Sequence, residues 1–430
     1  MLEVFYTDNP DTLKSNALAW ANRFKTACYF DSNGFSDPYS GFDALIAAGT
    51  ITEISESSDD LPGVMNQFLS RNKGFIPGYF SYDLKNKIEE LSSENQDYLH
   101  FPDLHFFLPE HTILIRGNEV SIYSDSAKEV WNLINQKSAK KSHLKQNEIH
   151  IKNRFSKADY INTVEHIKKH IRRGDIYEIN FCQEFYSEHA IINPLAMFAA
   201  LNKHSPTPFA GYFKLDERYI ISATPERFLS RRGTKLISQP IKGTSPRNPN
   251  AIQDEVLKTD LLKNEKERAE NVMIVDLVRN DLTKSARPGT VKVEELFGLY
   301  SFKQVHQMIS TVVCEANEKL NNMEIICNTF PMGSMTGAPK ISAMQLAEKY
   351  ERSKRGVYSG ALGYFAPNGD FDFNVVIRTL LYNEKTKYLS FHVGSAITHD
   401  SDPEKEYEEC ILKGKAIREV LNSGSTETYS

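Results

Sequence analysis

The clearest pattern of hydrophobic and polar positions lies in residues 156–175. Apolar side chains recur there at intervals of three and four residues, as on one face of an amphipathic helix. They are Ile161, Val164, Ile167 and Ile171. Ser156 stands before the run as an N-cap and Gly174 follows it as a stop signal. The pattern therefore predicts one helix between these two residues.

Other stretches show β-type patterns. Residues 111–124 are predicted to form a hairpin that turns at Gly117 and Asn118. Residues 73–84 are predicted to turn at Pro77 and Gly78 before an aromatic strand. Further strands are predicted within residues 231–238, 360–382 and 387–398, and a short helix at residues 126–136. The alternation predicts a mixed α+β protein.

Two predicted helices carry carboxylates at helical spacing. In residues 264–282, Glu267 and Glu270 are three apart and share a face. In residues 402–421, which Ser401 or Asp402 caps, one face is formed by Glu406, Glu409 and Lys413. Two such faces can meet to hold Mg²⁺ through oxygen ligands. Glutamates on helices are more often solvated surface charges, so the spacing alone leaves both interpretations open.

Three further features can carry chemistry. Small residues at 333–338 precede a predicted helix, where backbone N–H groups can bind an anion or simply form a capping turn. Lys242 lies between a predicted strand and a Gly-Thr turn, and a buried lysine can act as a nucleophile, whereas most lysines are solvated. Glu226 lies just after a strand end, where it could serve as a general acid and base.

Composition excludes several classes of protein. The 430 residues are 40% hydrophobic and 25% charged, an ordinary globular composition for two domains or one composite core. The net charge of −5 argues against a nucleic-acid binder. The chain shows no run of about 18 apolar residues and no signal-peptide pattern. Its five cysteines are scattered, so we expect reduced thiols in a cytoplasmic protein.

Polarity along the chain suggests its organisation. We predict an N-terminal part at residues 1–135, a lysine-rich linker or loop at 136–152, and a main region at 153–424. The last residues, 425–430, are predicted to be a frayed tail.

Several ordered motifs together resemble the chorismate-utilising enzymes, a family that includes anthranilate, aminodeoxychorismate, isochorismate and salicylate synthases. The matching segments are GDIYEINFCQEF, SATPERFL, PIKGTSPR, KERAENVMIVDLVRNDL, GSMTGAPKISAM, SKRGVYSGALGYF, DFNVVIRTL and DSDPEKEYEECILKGKA. The resemblance implies an α/β sandwich of two packed halves, an active site between them, and a requirement for Mg²⁺.

The resemblance also implies roles for individual residues. Glu270 and Glu409 would bind Mg²⁺, which holds the ring carboxylate of chorismate, and Lys413 would pair with the same carboxylate. The residues that would support the metal, directly or through water, are Glu267 and Glu406. The remaining substrate-binding residues would be Thr244, His306, Thr336, Tyr358, Arg378 and Gly394. Among these, Arg378 and Tyr358 would bind the enolpyruvyl carboxylate, helped by backbone N–H groups near Gly394.

Within the family, the motif PIKGT resembles aminodeoxychorismate synthase component I, whereas anthranilate synthases carry alanine at the position of Lys242. Lys242 would add to C2 of chorismate while Glu226 protonates the departing C4 hydroxyl, and ammonia would then enter at C4. We expect desolvation and nearby cations to lower the pKa of Lys242. The chain departs from the family pattern at Glu178, where glutamine is common, and at Ala396, where a glycine is usual.

Because no glycine-flanked cysteine nucleophile occurs in the chain, ammonia is expected to come from a separate glutamine amidotransferase subunit or from solution. The product, 4-amino-4-deoxychorismate, would serve 4-aminobenzoate and folate biosynthesis. The alternatives are anthranilate synthase component I and a non-catalytic subunit that binds chorismate or tryptophan. Lys242 argues against the first, and the retained carboxylates argue against the second.

Overall fold

The computed structural model describes residues 1–55, 60–136 and 149–422. Most of the predicted linker at 136–152 and the whole predicted tail at 425–430 lie outside these residues. The helices are α1 (Pro10–Ala21), α2 (Leu61–Arg71), α3 (Lys85–Ile88), α4 (Ala127–Asn135), α5 (Lys157–Arg173), α6 (Pro194–His204), α7 (Ala251–Lys263), α8 (Glu265–Thr283), α9 (Asn322–Thr329), α10 (Lys340–Tyr350), α11 (Pro403–Lys413) and α12 (Lys415–Asn422).

The strands alternate with these helices along the chain. They are β1 (Leu2–Tyr6), β2 (Thr26–Asp31), β3 (Ala44–Ala48), β4 (Thr52–Ile54), β5 (Ile76–Phe80), β6 (Leu104–Leu108), β7 (His111–Arg116), β8 (Glu119–Tyr123), β9 (Lys152–Asn153), β10 (Glu178–Ser187), β11 (Phe209–Leu215), β12 (Arg218–Thr224), β13 (Arg227–Arg232), β14 (Lys235–Gln239), β15 (Ile241–Pro246), β16 (Lys292–Ser301), β17 (Val305–Glu315), β18 (Gly337–Ala338), β19 (Ala361–Phe365), β20 (Phe371–Val375), β21 (Thr379–Asn383) and β22 (Tyr388–Ile397).

Within the described residues, these strands form two antiparallel sheets. The first has 12 strands, in the order β1-β8-β7-β3-β2-β11-β12-β21-β22-β10-β18, with β9 paired to β10. The second has 10 strands, in the order β15-β17-β14-β13-β20-β19-β5-β6-β4, with β16 paired to β17. Strands from before and after residue 136 occur in both sheets. The predicted α+β fold is confirmed.

Successive side chains of a strand point to opposite faces of its sheet and so contribute to two hydrophobic cores. In β2, Tyr29 packs into a core with helices α1, α5 and α6, whereas Cys28 and Phe30 point to the opposite face. In β5, the Tyr79 ring meets Phe213 of the first sheet with centroids 5.5 Å apart. Phe80, the next residue along β5, points to the opposite face, where its ring centroid lies 6.2 Å from that of Phe330 at the end of α9. The molecule is thus a sandwich of two sheets with helices on its outer faces.

The helix predicted at 156–175 is confirmed. Ser156 accepts a hydrogen bond from the backbone N–H of Asp159, and Gly174 ends α5 with a left-handed φ of 84°. The hairpin at 111–124 is confirmed as β7 and β8.

The turn predicted at Pro77 and Gly78 is wrong, because both residues lie inside β5. Pro77 pairs with Tyr364 of β19, while pairing with β6 begins only at Gly78. A proline is tolerated where one side of a strand has no ladder partner. Gly78 is needed because a Cβ there would lie 2.2 Å from the carbonyl oxygen of His105.

Two further sequence-based expectations concern reduced cysteines and membrane-spanning segments. All five cysteines are free thiols, four of them buried. Across residues 1–55, 60–136 and 149–422, none of the helices has the length and apolar content that a membrane span requires.

Candidate active site

The acidic faces of α8 and α11 lie opposite one another. The ammonium of Lys266 is 3.6 Å from a carboxylate oxygen of Glu270 on α8 and 3.9 Å from one of Glu406 on α11. Glu406 is 3% exposed and accepts a hydrogen bond from Ser395 of β22. A lysine that the sequence analysis did not single out therefore lies between the two predicted ligand pairs. Its spacing of four residues from Glu270 is the signal that could have identified it.

The electrostatics of these carboxylates differ between the helices. Burial raises the pKa of Glu267, and the charges of Glu270 and Glu409 raise it further. The pKa of Glu270 is also raised, chiefly by burial. Partial burial would raise the pKa of Glu409 as well, but the charge of Lys413, 2.7 Å away, together with those of Lys242 and Lys266, outweighs it and lowers the pKa.

The donor set fits a hard cation in its chemistry. Neighbouring carboxylates that repel one another are stabilised by a divalent ion, and carboxylate oxygens are the ligands Mg²⁺ prefers. In the part of the chain that the structure describes, however, no three acidic, histidine or cysteine side chains are already gathered as a metal-binding group. Side-chain movement and displacement of Lys266 would have to accompany binding.

Lys242 lies within β15, beside α8. The predicted Gly-Thr turn is instead a bulge in this strand, where the register against β17 shifts between Ile241 and Thr244. Gly243 has a φ of 96°, and a Cβ there would lie 3.2 Å from Met308. The side-chain amide of Asn271 on α8 donates to the carbonyl of Lys242 at 3.3 Å. The bulge persists because β15 pairs with β17 on both sides of it.

The Lys242 side chain points to Glu178. Its ammonium donates a hydrogen bond of 2.9 Å to Glu178, and both side chains are largely buried, at 13% and 9% exposure. Burial would lower the pKa of Lys242, but the charges of Glu178, Glu270 and Glu409 outweigh burial and raise it. The expectation that the pKa of Lys242 is lowered is therefore wrong for the protein alone, because the pocket holds more carboxylates than cations.

Glu226 lies between β12 and β13 and is 4% exposed. Burial raises its pKa to about 7, although Ser334, Lys242 and Arg378 act in the opposite direction. The pKa of Arg378 is lowered by burial, against the charge of Glu226. Among the described residues, the guanidinium of Arg378 forms no hydrogen bond or close ion pair. The structure thus brings together a carboxyl group that titrates near neutrality, a lysine and an unpaired arginine.

The loop at 333–339 packs beside this cluster. β18 pairs with the start of β10, and a Cβ at Gly337 would lie 2.2 Å from the carbonyl oxygen of Glu178, so only glycine fits. Thr336 is buried, and its hydroxyl donates to the carbonyls of Met332 and Gly333, both at 3.3 Å. The hydroxyl of Ser334, which our sequence analysis did not single out as a ligand, is buried beside Glu226, whose pKa it lowers.

Tyr358, Gly394 and Lys413 lie along the first sheet. The Tyr358 ring is 2% exposed and stacks on His392, with centroids 5.0 Å apart. A Cβ at Gly394 would lie 2.7 Å from the sulfur of Cys182, and its carbonyl accepts a hydrogen bond of 2.9 Å from Lys413. Lys413 therefore already has two partners, Gly394 and Glu409.

His306 and Thr244 lie on the neighbouring strands β17 and β15. The ring nitrogens of His306 contact Ser301 at 2.8 Å and Asp254 at 3.0 Å, so both are occupied by protein groups. Thr244 is exposed and pairs with Gln307. Ala396 lies in regular strand β22 opposite Asn180 and does not have a positive φ, so its methyl group causes no backbone strain.

The chain is similar to known proteins over most of its length. A model of the chorismate binding enzymes matches residues 5–419. Anthranilate synthase component 1 of Saccharolobus solfataricus is 33% identical over 366 residues, which cover 84% of this chain and 82% of that one. Aminodeoxychorismate synthase component 1 of Bacillus subtilis is 30% identical over 380 residues, which cover 83% of this chain and 78% of that one.

A solved structure agrees with these similarities. The crystal structure of anthranilate synthase component I from Streptococcus pneumoniae TIGR4 superposes with a TM-score of 0.77 at 26% identity, covering 89% of this chain and 93% of that one. The fold, the matched motifs and the relatives agree. The chain therefore belongs to the family of chorismate binding enzymes, and it is a chorismate-utilising enzyme.

Proposed function

We propose that this chain converts chorismate and ammonia to 4-amino-4-deoxychorismate, as the large subunit of a cytoplasmic aminodeoxychorismate synthase. Relatives of either activity match at similar identity, so the choice between them depends on the site. The observation that carries the proposal is the buried Lys242, in the same electrostatic cluster as a Glu226 whose pKa is about 7. Such a pair suits a nucleophile and a general acid.

The reaction is a double displacement. The Nζ lone pair of Lys242 forms a bond to C2, the two ring double bonds each move one position toward C4, and the C4–O bond breaks. Glu226 gives its proton to the departing oxygen, which leaves as water. Ammonia then bonds to C4, the double bonds move back, and the bond from C2 to Lys242 breaks. Glu226 takes the excess proton from the new C4 amine, so the net change is chorismate and ammonia to product and water.

Substrate binding is divided between two charged groups. Mg²⁺ bound by Glu270 and Glu409, with Glu267 and Glu406 in support, would supply a positive charge for the ring carboxylate. That charge would also offset two of the carboxylates that raise the pKa of Lys242. Arg378 is proposed to bind the enolpyruvyl carboxylate, because its half-buried guanidinium has no close anionic partner among the described residues. Tyr358, Thr336, Thr244, His306, Gly394 and Lys413 remain proposed contacts to substrate.

The partner is proposed to be a glutamine amidotransferase that supplies ammonia, and the product to feed 4-aminobenzoate and folate biosynthesis. Burial supports this arrangement in one respect. All cysteines except Cys327 are buried, and burial raises the pKa of Cys28, Cys182 and Cys314, which disfavours the thiolate needed for glutaminase chemistry.

The test is product identification with chorismate, Mg²⁺ and ammonium chloride. We expect the wild type to form the para-amino product, and Lys242→Ala to lower its formation by about 100-fold or more, since the covalent route is lost. The control is Lys263→Ala, an exposed lysine on α7, which should retain full activity. Formation of anthranilate by the wild type would instead favour the anthranilate synthase alternative. A near wild-type rate of para product in Lys242→Ala would disprove the covalent role.

A further inference from the structure

The residue opposite Lys242 has no role in the reaction as proposed above. Glu178 is the first residue of β10, and its carboxylate accepts the hydrogen bond of 2.9 Å from Lys242. The two residues are 64 positions apart in sequence and belong to different sheets. Within the described residues, Glu178 is the only hydrogen-bond partner of the Lys242 ammonium.

The backbones that carry the two side chains are fixed independently. At Glu178, the ladder with β18 is closed by the close approach of Gly337, and the N–H of Tyr177 donates to the carbonyl of Ala338 at 2.7 Å. At Lys242, the bulge in β15 and the amide of Asn271 hold the strand against α8. The distance between the two groups is therefore set by the way the two sheets meet rather than by flexible loops.

The chemistry of Lys242 requires a proton acceptor. An ammonium has no lone pair, so Lys242 can bond to C2 only after its Nζ loses a proton. Glu226 cannot also accept the proton of Lys242, because it must deliver a proton to the departing C4 hydroxyl. Glu270 and Glu409 are the proposed metal ligands. Glu178 is the carboxylate already hydrogen-bonded to the proton that must leave.

We propose that Glu178 is the base that activates Lys242, an inference that rests on the proposed function. The proton moves from Nζ to the Glu178 carboxylate along the existing hydrogen bond, which leaves a neutral amine and a carboxylic acid. The amine bonds to C2 and becomes a secondary ammonium. When that bond breaks in the second displacement, the neutral amine takes its proton back from Glu178. Each turnover thus begins and ends with the same ion pair.

Other charged groups also face Lys242, so the test must cancel their titration. They are Glu226 before β13, Glu267 and Glu270 on α8, and Glu409 on α11. The ratio of the rates of a variant and the wild type, measured at each pH with the same free ammonia, removes effects that both proteins share. The ratio then isolates the contribution of residue 178.

The experiment measures this ratio for Glu178→Gln between pH 6.5 and 9. Glutamine has the same shape and can accept the hydrogen bond, but it is a far weaker base. We expect kcat for the para product to fall about 100-fold at pH 7, with the KM for chorismate changed less than threefold. The ratio should then rise with pH, because bulk hydroxide replaces Glu178 in deprotonating Lys242. Glu188→Gln is the control, since Glu188 pairs with Lys152 just beyond the other end of β10.

A second variant guards against misfolding of the first. Glu178→Ala should regain para-product formation in proportion to added formate, a small carboxylate that can occupy the space left by the side chain. A Glu178→Gln ratio near one, or a low ratio that stays flat with pH and no rescue by formate, would show that Glu178 only positions Lys242. If the wild type forms no para-amino product, the proposed function is wrong and this inference is wrong with it.

Discussion

At the scale of single residues, Glu226 and Lys242 show how one pocket moves two pKa values upward for different reasons. Glu226 is governed by burial, which favours its neutral form and raises its pKa to about 7. The pKa of Lys242 is raised by the surrounding carboxylates, which favour its charged form despite burial. The sequence indicated that both residues could carry chemistry. It could not give the direction for Lys242, because Glu178, Glu270 and Glu409 come from three distant segments.

The titration of Glu226 gives a test at this scale. Its acid form is the proposed proton donor, so kcat/KM for chorismate at constant free ammonia should fall as pH rises above about 7. Glu226→Gln should lose about 100-fold or more in activity together with this pH dependence. The pKa of Glu226 is higher in the folded protein than in the unfolded chain, so the wild type loses stability as pH rises toward 7, and the variant does not. The variant should therefore have a higher Tm at pH 8.

The matched control is Glu217→Gln, an exposed carboxylate in the turn between β11 and β12. Its Tm and its pH profile should follow the wild type. An unchanged pH profile in Glu226→Gln would remove Glu226 from the role of general acid.

At the scale of elements, residues that cap or stop a helix predicted the helix boundaries, because they act on their immediate neighbours in the sequence. The cap at Ser156, the stop at Gly174 and the cap at Asp402 act within a few residues of themselves, and all three are confirmed. Pro77 and Gly243 were misjudged, because their turn-like chemistry is overridden by strands that pair with them from elsewhere. A proline or a glycine predicts a turn only where no neighbouring strand imposes a ladder.

The prediction of a Mg²⁺ site concerns the carboxylates on the facing sides of α8 and α11. Glu270 and Glu409 are expected to bind Mg²⁺, so EDTA should abolish activity and added Mg²⁺ should restore it. Glu409→Ala should lose about 100-fold or more in activity with little change in Tm, since its side chain is 45% exposed. Glu408→Ala is the control, because Glu408 is adjacent on α11, is 70% exposed and is near Lys157 instead. Full activity in EDTA would refute the assignment.

At the scale of the whole molecule, both sheets combine strands from before and after residue 136. β2 pairs with β11, and β5 pairs with β19, so neither region completes a sheet alone. The α+β class could be predicted from the pattern of strands and helices. The strand order could not, because it depends on pairings over hundreds of residues that leave no local signal. The candidate site likewise depends on long-range pairing, since Glu178 and Lys242 belong to different sheets.

The source of nitrogen is the last prediction, and it concerns the chain as a unit. The thiols of Cys28, Cys182 and Cys314 are buried with raised pKa values, so they are unsuited to attack glutamine. The purified single chain should therefore form the para-amino product with ammonium chloride and should form none with glutamine alone. Addition of a glutamine amidotransferase subunit should make glutamine a substrate, while a subunit whose nucleophilic cysteine is replaced by alanine should not. The measurement is chromatographic quantification of product under each condition. Glutamine-dependent turnover by the pure chain would reveal a glutaminase site in this sequence and contradict the need for a partner.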